Sequence, residues 1–475
     1  MTDITDIIVK IDQDKAAKLD KINAEKRDPI EKALAAGWVY YDEKNTRYRV
    51  DTVKLGRLLL SEYKLLSVRN GSKNDLYLYH PQTGVWELIS KNYLSNLIAV
   101  KLDAVNLWND YTSARTLKYI LELVEQKTFK TTFGSEPPLK FNFINGVWNW
   151  EKRKLEQHTH EDYFVSVTDY ALETAGTTPE TDKYFKLIFG ENDKTVREFL
   201  GYSFYPSYSK IQALLVLLGG GGDGKSTFFK RFLERLIGCD NVASVNLRDL
   251  ASGKENNFKL RELHRKHVNT ASELSDFENK LIDTSTLKAL TGGDKLNASV
   301  KGGGDIRFAN YAKLWVATNE LVSFRDTSHG WGRRIFVVDF HKIKNFKTEI
   351  NWNKIEKERG AFAYKCILAA YEAMERGTLT VTPSIEARRK DWQTENDSVQ
   401  AFLDENCVTG ENYRVNRRDL YQAYENWCNF EHLHALMNKN FTKSMRDKGF
   451  EVKRLRDDAN GKRFYFFMGL KKLDF

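Results

Sequence analysis

The sequence is poor in cysteine and proline and contains no long hydrophobic run. Its four cysteines lie far apart without a CxxC pair, so neither a disulfide framework nor a zinc cluster is indicated. Seven prolines and no Pro-, Ser- or Gly-rich tract leave only short or helical connectors between domains. No apolar run approaches the roughly 18–20 residues that span a bilayer, and the acidic N-terminus is unlike a signal peptide. We therefore expect a cytoplasmic protein without a membrane partner.

Basic residues outnumber acidic residues by 74 to 65, which gives a formal net charge of +9. Residues 431–475 alone carry a net charge of +5. Hydrophobic residues make up 41% of the 475 positions, which is enough for buried cores and excludes a disordered or fibrous protein. A chain of this length predicts about three domains. The positive charge near the C-terminus indicates a polyanionic partner.

The strongest motif is a glycine-rich loop between an apolar run and a helical pattern. Residues 213–218 have the length and composition of a buried parallel strand, and residues 228–237 have helical periodicity. The loop between them matches G-x-x-x-x-G-K-S and consists of Gly219, Gly220, Gly221, Gly222, Asp223, Gly224, Lys225, Ser226 and Thr227. In such a loop the backbone N–H groups face phosphate oxygens, Lys225 reaches the β- and γ-phosphates, and Ser226 holds Mg²⁺. The sequence therefore predicts a nucleotide-binding site.

Three downstream features are candidates for acting on the bound nucleotide. Glu273 follows a polar strand pattern, where a carboxylate can orient the attacking water and hold Mg²⁺; a surface glutamate on a helix is the alternative. Asn319 ends a more apolar strand, where its amide would lie beside the γ-phosphate or simply form a turn. Arg333 and Arg334 precede a fourth apolar strand. An arginine there can stabilise the γ-phosphate of a neighbouring subunit, although paired arginines are more often solvated or salt-bridged.

A basic, glycine-rich hairpin is predicted over residues 296–308, with Lys301 at its tip. A flexible tip with a lysine suits a loop that grips a phosphate backbone and moves with the nucleotide state. An exposed turn without such a role explains the pattern equally well.

These elements together resemble the superfamily 3 helicases of the AAA+ class, and most closely the phage/plasmid/poxvirus-type primase–helicase family. The resemblance rests on five segments that occur in the family's order and at similar spacing: residues 217–227, 271–273, 287–294, 313–319 and 331–334. Residues 79–86 and 143–148 are similar to the family's N-terminal region.

The resemblance implies an ATP-driven hexameric ring that moves 3′ to 5′ along single-stranded DNA. It assigns Lys225 and Ser226 to the Walker A site, Glu273 to the Walker B site and Asn319 to sensor 1. It makes Arg334 the arginine finger, with Arg333 as the fallback, and Lys301 the residue that tracks DNA. ATP and Mg²⁺ would be the cofactors, and a replication loader or a polymerase would be further partners in a bacterial host.

The sequence departs from the family pattern at two places. Asp223 stands where the family commonly has Asn, which puts a carboxylate near the phosphates. The strand before Glu273 is more polar than usual. Many relatives also carry a primase domain, but residues 1–160 show no pair of catalytic Asp on adjacent strand positions, so we do not expect primase activity in this chain.

The C-terminal residues predict three helices followed by a hairpin of strands over 450–456 and 463–468. This pattern is typical of a winged helix and resembles the C-terminal domain of phage and mobile-element replication helicases. The residues expected to face single- or double-stranded DNA are Lys443, Arg446, Lys453, Arg454, Arg456 and Arg463. A protein–protein module with a solvated basic face is the alternative.

The expected fold is a multidomain α/β protein with five parts. They are an α+β N-terminal domain (1–160), a helical collar for oligomerisation (161–208), an AAA+ P-loop ATPase domain (209–345), a helical extension (346–394) and a winged-helix domain (395–475). The leading hypothesis is a replicative DNA helicase of a phage or mobile element that also binds its origin. A P-loop ATPase that translocates duplex DNA without unwinding, and an initiator that uses ATP only as an assembly switch, remain open.

Overall fold

The structure is a computed structural model of the chain. It describes residues 29–70, 73–130, 133, 138–251, 257–272, 282, 284–298, 306–321, 324, 329–431, 435–456 and 463–473. Contacts divide the chain into two compact units, of which the smaller comprises Met1–Pro137 with Gln157–Ser166 and the larger comprises Pro138–Glu156 with Val167–Phe475. The chain is therefore a multidomain α/β protein, as expected.

Within its described residues, the smaller unit contains two antiparallel sheets and four α-helices. Its elements are α1 (Pro29–Ala35), β1 (Val39–Asp42), β2 (Arg47–Val50), α2 (Thr52–Glu62), β3 (Leu65–Asn70), β4 (Lys73–His80), β5 (Val85–Ile89), α3 (Lys91–Asp103) and α4 (Asp110–Thr128). A side-chain oxygen accepts a backbone N–H at the start of three helices, from Asp51, Ser90 and Asn109. Buried residues four positions apart form the core, because that spacing places them on one helix face; they are Leu55 and Leu59, Ile98 and Leu102, and Ile120 and Val124.

The larger unit begins with a small antiparallel sheet and two helices. These elements are β6 (Lys140–Phe143), β7 (Gly146–Asn149), β8 (Lys154–Glu156), α5 (Pro179–Phe189) and α6 (Asp193–Ser203). The expected N-terminal domain over 1–160 therefore differs from the structure. Aromatic packing explains why the small sheet belongs to the larger unit. The ring centroid of Phe141 lies 4.8 Å from that of Phe204, and the ring centroid of Trp148 lies 5.7 Å from that of Tyr364.

The centre of the larger unit alternates strands and helices. Its elements are β9 (Leu214–Leu218), α7 (Lys225–Thr227, continued by the π-helical Phe228–Leu233 and by Glu234–Ile237), β10 (Val242–Ala243), α8 (Leu247–Ala251), α9 (Asn257–Arg261), β11 (Val268–Ser272), α10 (Ser285–Gly292), β12 (Lys295–Ala298), β13 (Ile306–Ala309), β14 (Lys313–Thr318), α11 (His329–Gly332) and β15 (Ile335–Asp339). The strands β12 and β13 pair antiparallel, which confirms the two sides of the predicted hairpin.

Five strands form one parallel sheet in the order β10–β11–β14–β9–β15. The strand β9 is apolar throughout and lies between β14 and β15, as expected of a strand that helices cover on both faces. Because all five strands run in one direction, the loops that follow β9 and β14 leave the sheet at the same edge. This edge positions the predicted nucleotide loop.

One short and two long helices follow the parallel sheet in the larger unit. They are α12 (Phe346–Glu349), α13 (Trp352–Arg376) and α14 (Pro383–Asn396). The helices α6 and α13 approach so closely that a Cβ atom added at Gly201 would lie 1.8 Å from the Cys366 carbonyl oxygen. A glycine is therefore required at this crossing. As separate domains, the expected segments 161–208, 209–345, 346–394 and 395–475 stay a prediction.

The C-terminal part contains three helices and a three-stranded antiparallel sheet in the order β16–β18–β17. Its elements are α15 (Ser398–Asn406), β16 (Cys407–Asn416), α16 (Arg417–Phe430), α17 (Asn438–Asp447), β17 (Val452–Arg456) and β18 (Arg463–Lys472). The predicted helices and hairpin are confirmed, and the Asn416 side chain caps the start of α16. The structure adds the ten-residue strand β16, which the predicted pattern of three helices and a hairpin does not include.

Among the described residues, none of the helices has both the length and the apolar character that a membrane span needs. All four cysteines are free thiols.

One buried histidine lies directly before β11. The ring centroid of His267 lies 4.6 Å from that of Phe141 and 5.0 Å from that of Tyr311. The Nδ1 atom of His267 lies 3.3 Å from the Ser203 carbonyl oxygen. Burial, and to a smaller extent the nearby Lys313 ammonium, lower the pKa of His267 to about 3. The folded protein therefore holds this ring neutral.

We predict that His267 makes the larger unit sensitive to acid. The pKa of His267 is lower in the folded than in the unfolded chain, so between pH about 6.5 and 3 only the unfolded chain binds a proton at this ring. The contribution of His267 to the free energy of unfolding is therefore fully present above pH about 6.5 and is lost as the pH falls toward 3. In urea unfolding between pH 6.5 and 4.5, His267→Phe should reduce the loss of unfolding free energy by up to about 1.4 kcal/mol per pH unit. The exposed His341→Phe serves as the control. Equal pH slopes for wild type and His267→Phe would contradict the prediction.

Candidate functional site

The glycine-rich loop lies where β9 ends and α7 begins. Gly222 and Gly224 have φ angles of +69° and +109°, a left-handed conformation that glycine adopts without strain. The backbone N–H of Gly219 donates to the Thr318 carbonyl at the end of β14. These features hold the start of the loop against the neighbouring strand.

Lys225 is buried at this edge of the sheet, with 7% of its surface exposed. Its Nζ donates to the carbonyl oxygens of Gly219 at 2.8 Å and Gly220 at 3.1 Å. It also donates to Asn319 Oδ1 at 3.0 Å and to Asp223 Oδ2 at 2.7 Å. Four oxygen atoms therefore replace water around the ammonium, as a buried charge requires.

Asn319 reaches the loop because β14 is the neighbour of β9. Thr318 pairs with Leu218 in the register of the two strands, so the residues that follow them leave the sheet side by side. The structure thus brings Asn319 and Lys225 together. Its role as a sensor of the γ-phosphate stays a prediction.

The surface of the loop is open. Cβ atoms added at Gly220, Gly221 or Gly222 would meet no atom within 4 Å, and Ser226 is exposed. A buried ammonium with exposed backbone and a free hydroxyl beside it fits a polyphosphate and its Mg²⁺. Thr227, the last residue of the predicted loop, is half-buried in the first turn of α7.

Two predicted site residues lie outside the described residues. They are Glu273, which follows the last residue of β11, and Lys301, between β12 and β13. The strand β11 itself is confirmed and lies beside β14. The carboxylate and the tip lysine therefore stay predictions.

The paired arginines differ in their surroundings. Arg334 Nη1 donates to the Lys288 carbonyl at 3.0 Å and to Thr291 Oγ1 at 3.1 Å, both on α10. Burial lowers the pKa of Arg334, the neighbouring Arg333 lowers it further, and Asp294 opposes this shift. Arg333 is exposed, and its side chain has no hydrogen-bond or ion-pair partner among the residues that the structure describes. Arg334 therefore anchors α10, and Arg333 is the more accessible arginine.

The predicted DNA-contacting residues lie on two elements and are all exposed. Lys443 and Arg446 are on α17, and the others are on the β17–β18 hairpin: Lys453, Arg454, Arg456 and Arg463. The prediction missed an aromatic residue among them. The ring of Tyr465 is about half exposed and lies 5.1 Å from the Arg417 guanidinium and 5.9 Å from that of Arg454. The signal for Tyr465 was the predicted hairpin itself: when Arg456 pairs with Arg463, Tyr465 lies opposite Arg454.

Three family models match parts of the chain. A D5 N-terminal-like model matches residues 68–235, a family of unknown function (DUF5906) matches residues 217–334, and an RFX DNA-binding domain matches residues 396–474. The second match covers the glycine-rich loop, Asn319 and both arginines. The third covers all three C-terminal helices and their sheet.

Curated viral proteins are similar over most of the chain. L207/L206, a proposed helicase of Acanthamoeba polyphaga mimivirus, is 23% identical over 439 residues, which are 78% of this chain and 45% of that protein. C962R, a proposed primase of African swine fever virus, is 22% identical over 380 residues, which are 71% of this chain and 38% of that protein. The chain thus spans less than half the length of these relatives.

A solved structure described as the A form apo structure of the NrS-1 C-terminal region is 11% identical to this chain. It covers 89% of this chain and 100% of its own length, with a TM-score of 0.49. A second structure of the same region, residues 305–718, has a TM-score of 0.48.

We predict that Arg334 contributes to stability and that Arg333 does not. Arg334→Ala leaves the Lys288 carbonyl and the Thr291 hydroxyl without their charged donor, which should lower the free energy of unfolding by about 1–2 kcal/mol. The adjacent Arg333→Ala is the matched control and should change it by less than about 0.5 kcal/mol. Urea unfolding measures both. Equal stabilities of the two variants would show that the contacts of Arg334 with α10 contribute nothing.

Proposed function

Because the chain belongs to a family of viral primase–helicases, we propose that it is the ATP-dependent DNA helicase of a phage or mobile genetic element. One observation carries the proposal: the Lys225 ammonium is buried at the edge of the parallel sheet, in contact with Asn319 and beside an open glycine-rich loop. A buried cation next to exposed backbone amides binds a polyphosphate. The match to viral proteins with helicase and primase names supports a role in DNA replication.

In this proposal the residues around the loop bind and orient ATP. Lys225 neutralises the β- and γ-phosphates, and the loop N–H groups donate to their oxygens. Ser226 and Glu273 would hold Mg²⁺, which neutralises charge that develops on the phosphates. Asn319 places its amide beside the γ-phosphate, and Glu273 accepts a proton from the attacking water. These roles make residues 209–345 an AAA+ domain.

The remaining motor functions follow from oligomerisation. An arginine of one subunit would stabilise the γ-phosphate of its neighbour in a hexameric ring. Arg334 is the residue that the resemblance assigns, and the exposure of Arg333 supports it as the fallback. Hydrolysis would move Lys301 along one DNA strand in the 3′-to-5′ direction.

The C-terminal part is proposed to bind DNA as a winged helix and to recruit the ring to an origin. Its match to an RFX DNA-binding domain supports this role. The exposed basic residues of α17 and of the β17–β18 hairpin supply charge for phosphate contacts.

Primase activity is a second candidate, because relatives of this chain are named as primases. Those names describe proteins of which the chain spans 38%, so they carry less weight for this chain than the glycine-rich loop does. Duplex translocation without unwinding and an ATP-dependent assembly switch are separated from the helicase by the next experiment.

We predict that the chain unwinds a forked duplex with a 3′ single-stranded tail in the presence of ATP and Mg²⁺. Lys225→Ala removes the phosphate-binding ammonium and should abolish unwinding, while the exposed Lys230→Ala on the same helix should leave it unchanged. Arg334→Ala and Arg333→Ala should identify which arginine completes the neighbouring site. A labelled-strand displacement assay measures all five proteins. DNA-stimulated ATP hydrolysis without strand separation would instead support duplex translocation or the assembly switch.

We predict that α17 contributes to duplex binding. Changing Lys443 and Arg446 together to alanine removes two phosphate contacts, which should lower the slope of log K against log salt by about 2. Fluorescence anisotropy with a labelled duplex measures this slope. Lys354→Ala with Lys357→Ala, two exposed changes on α13, is the charge-matched control. Equal slopes for both double variants would exclude α17 from the DNA interface.

A further inference from the structure

We infer that the Asp223 carboxylate competes with the nucleotide phosphates for Lys225, and that it must release Lys225 before ATP can bind. This inference rests on the proposed nucleotide site. It adds a competing anion built into the loop, which weakens the binding of nucleotides, and most strongly of those with several phosphates.

The contacts of Asp223 are the basis of this inference. Asp223 Oδ2 accepts from the Lys225 Nζ at 2.7 Å, and Asp223 Oδ1 accepts from the Lys225 backbone N–H at 3.2 Å. A phosphate bound by a loop of this kind accepts from the same two types of donor, a lysine ammonium and a backbone N–H. One carboxylate therefore engages one donor of each type.

The carboxylate lies inside the loop. The exposed fractions of the Asp223 and Lys225 side chains are 5% and 8%. A Cβ atom added at Gly219 would lie 2.2 Å from Asp223 Oδ2 and 2.8 Å from the Phe340 carbonyl oxygen. The first residue of the loop must therefore be a glycine in part because the carboxylate fills the space beside it.

Release of Asp223 leaves Lys225 supported. Its other three acceptors are the Asn319 amide oxygen and the carbonyl oxygens of Gly219 and Gly220, which are all neutral. Among the residues that the structure describes, Asp223 is thus the only anion in contact with this ammonium. A phosphate that replaces it regains an ion pair, but the displaced carboxylate then lies close to the phosphate chain, and like charges repel.

This repulsion grows with the number of phosphates. The triphosphate carries more negative charge than the diphosphate, so the carboxylate should reduce affinity for ATP more than for ADP. If ATP binds more tightly than ADP, Asp223 would in this way bring the two affinities closer together. A nucleotide that binds less tightly dissociates more readily, so Asp223 would favour the exchange of bound nucleotide.

The test is Asp223→Asn, which keeps the shape and one oxygen acceptor but removes the charge. Binding of fluorescent ATP and ADP analogues to the full chain is titrated without and with Mg²⁺. We expect Asp223→Asn to lower the Kd for the ATP analogue about tenfold, with a smaller decrease for the ADP analogue. Asp240→Asn is the control, because this exposed residue lies beyond the far end of α7, roughly 20 Å along the helix from Lys225.

Two further proteins separate the possible outcomes. Asp223→Ala should also bind the ATP analogue more tightly than wild type, and thermal unfolding shows whether either variant is folded. Lys225→Ala tests the nucleotide site itself: if it binds as well as wild type, or wild type does not bind, the proposed function fails. If binding depends on Lys225 but neither Asp223 variant binds more tightly, the inference alone fails. Weaker binding by Asp223→Asn only with Mg²⁺ would also overturn it, because Asp223 would then support the metal.

Discussion

The burial of the Lys225 ammonium at the end of β9 is the constraint on which the rest of the candidate site depends. A cation in this position is stable only when oxygen atoms from several elements surround it. The loop supplies two carbonyls and the Asp223 carboxylate, and the neighbouring strand supplies Asn319. The order of the parallel sheet makes this possible, because β14 lies directly beside β9.

The parallel sheet also connects the glycine-rich loop to the paired arginines. The loop follows the end of β9, and the arginines precede the start of β15, at the opposite edge of the sheet. The strand β15 also pairs with β9, and Arg334 directly precedes it. The contacts of Arg334 with Lys288 and Thr291 join that end of the strand to α10. Arg334 is therefore held by α10 at the start of β15, whereas the adjacent Arg333 is exposed.

The C-terminal part is stabilised by its own core and leaves its charges at the surface. Leu420, Tyr424, Phe441, Met445 and Phe467 form this core together with other apolar residues. The basic side chains of α17 and of the hairpin lie outside it and are exposed. Because stability and charge depend on different residues, the basic surface can be altered without loss of the core.

Local patterns in the sequence determined the strand, loop and helix of the candidate site, the two strands of the predicted hairpin and the three C-terminal helices. Each depends on neighbouring residues, such as the apolar run before Gly219 or the cap at Asn416. Long-range packing decided the rest. Aromatic contacts place β6–β8 in the larger unit, and β16 pairs with β18, which lies about 50 residues later in the chain. The Asp223 carboxylate accepts a hydrogen bond from the buried Lys225 ammonium. These contacts depend on which surfaces pack together in the folded protein. Local sequence patterns describe only neighbouring residues, so they do not predict such contacts.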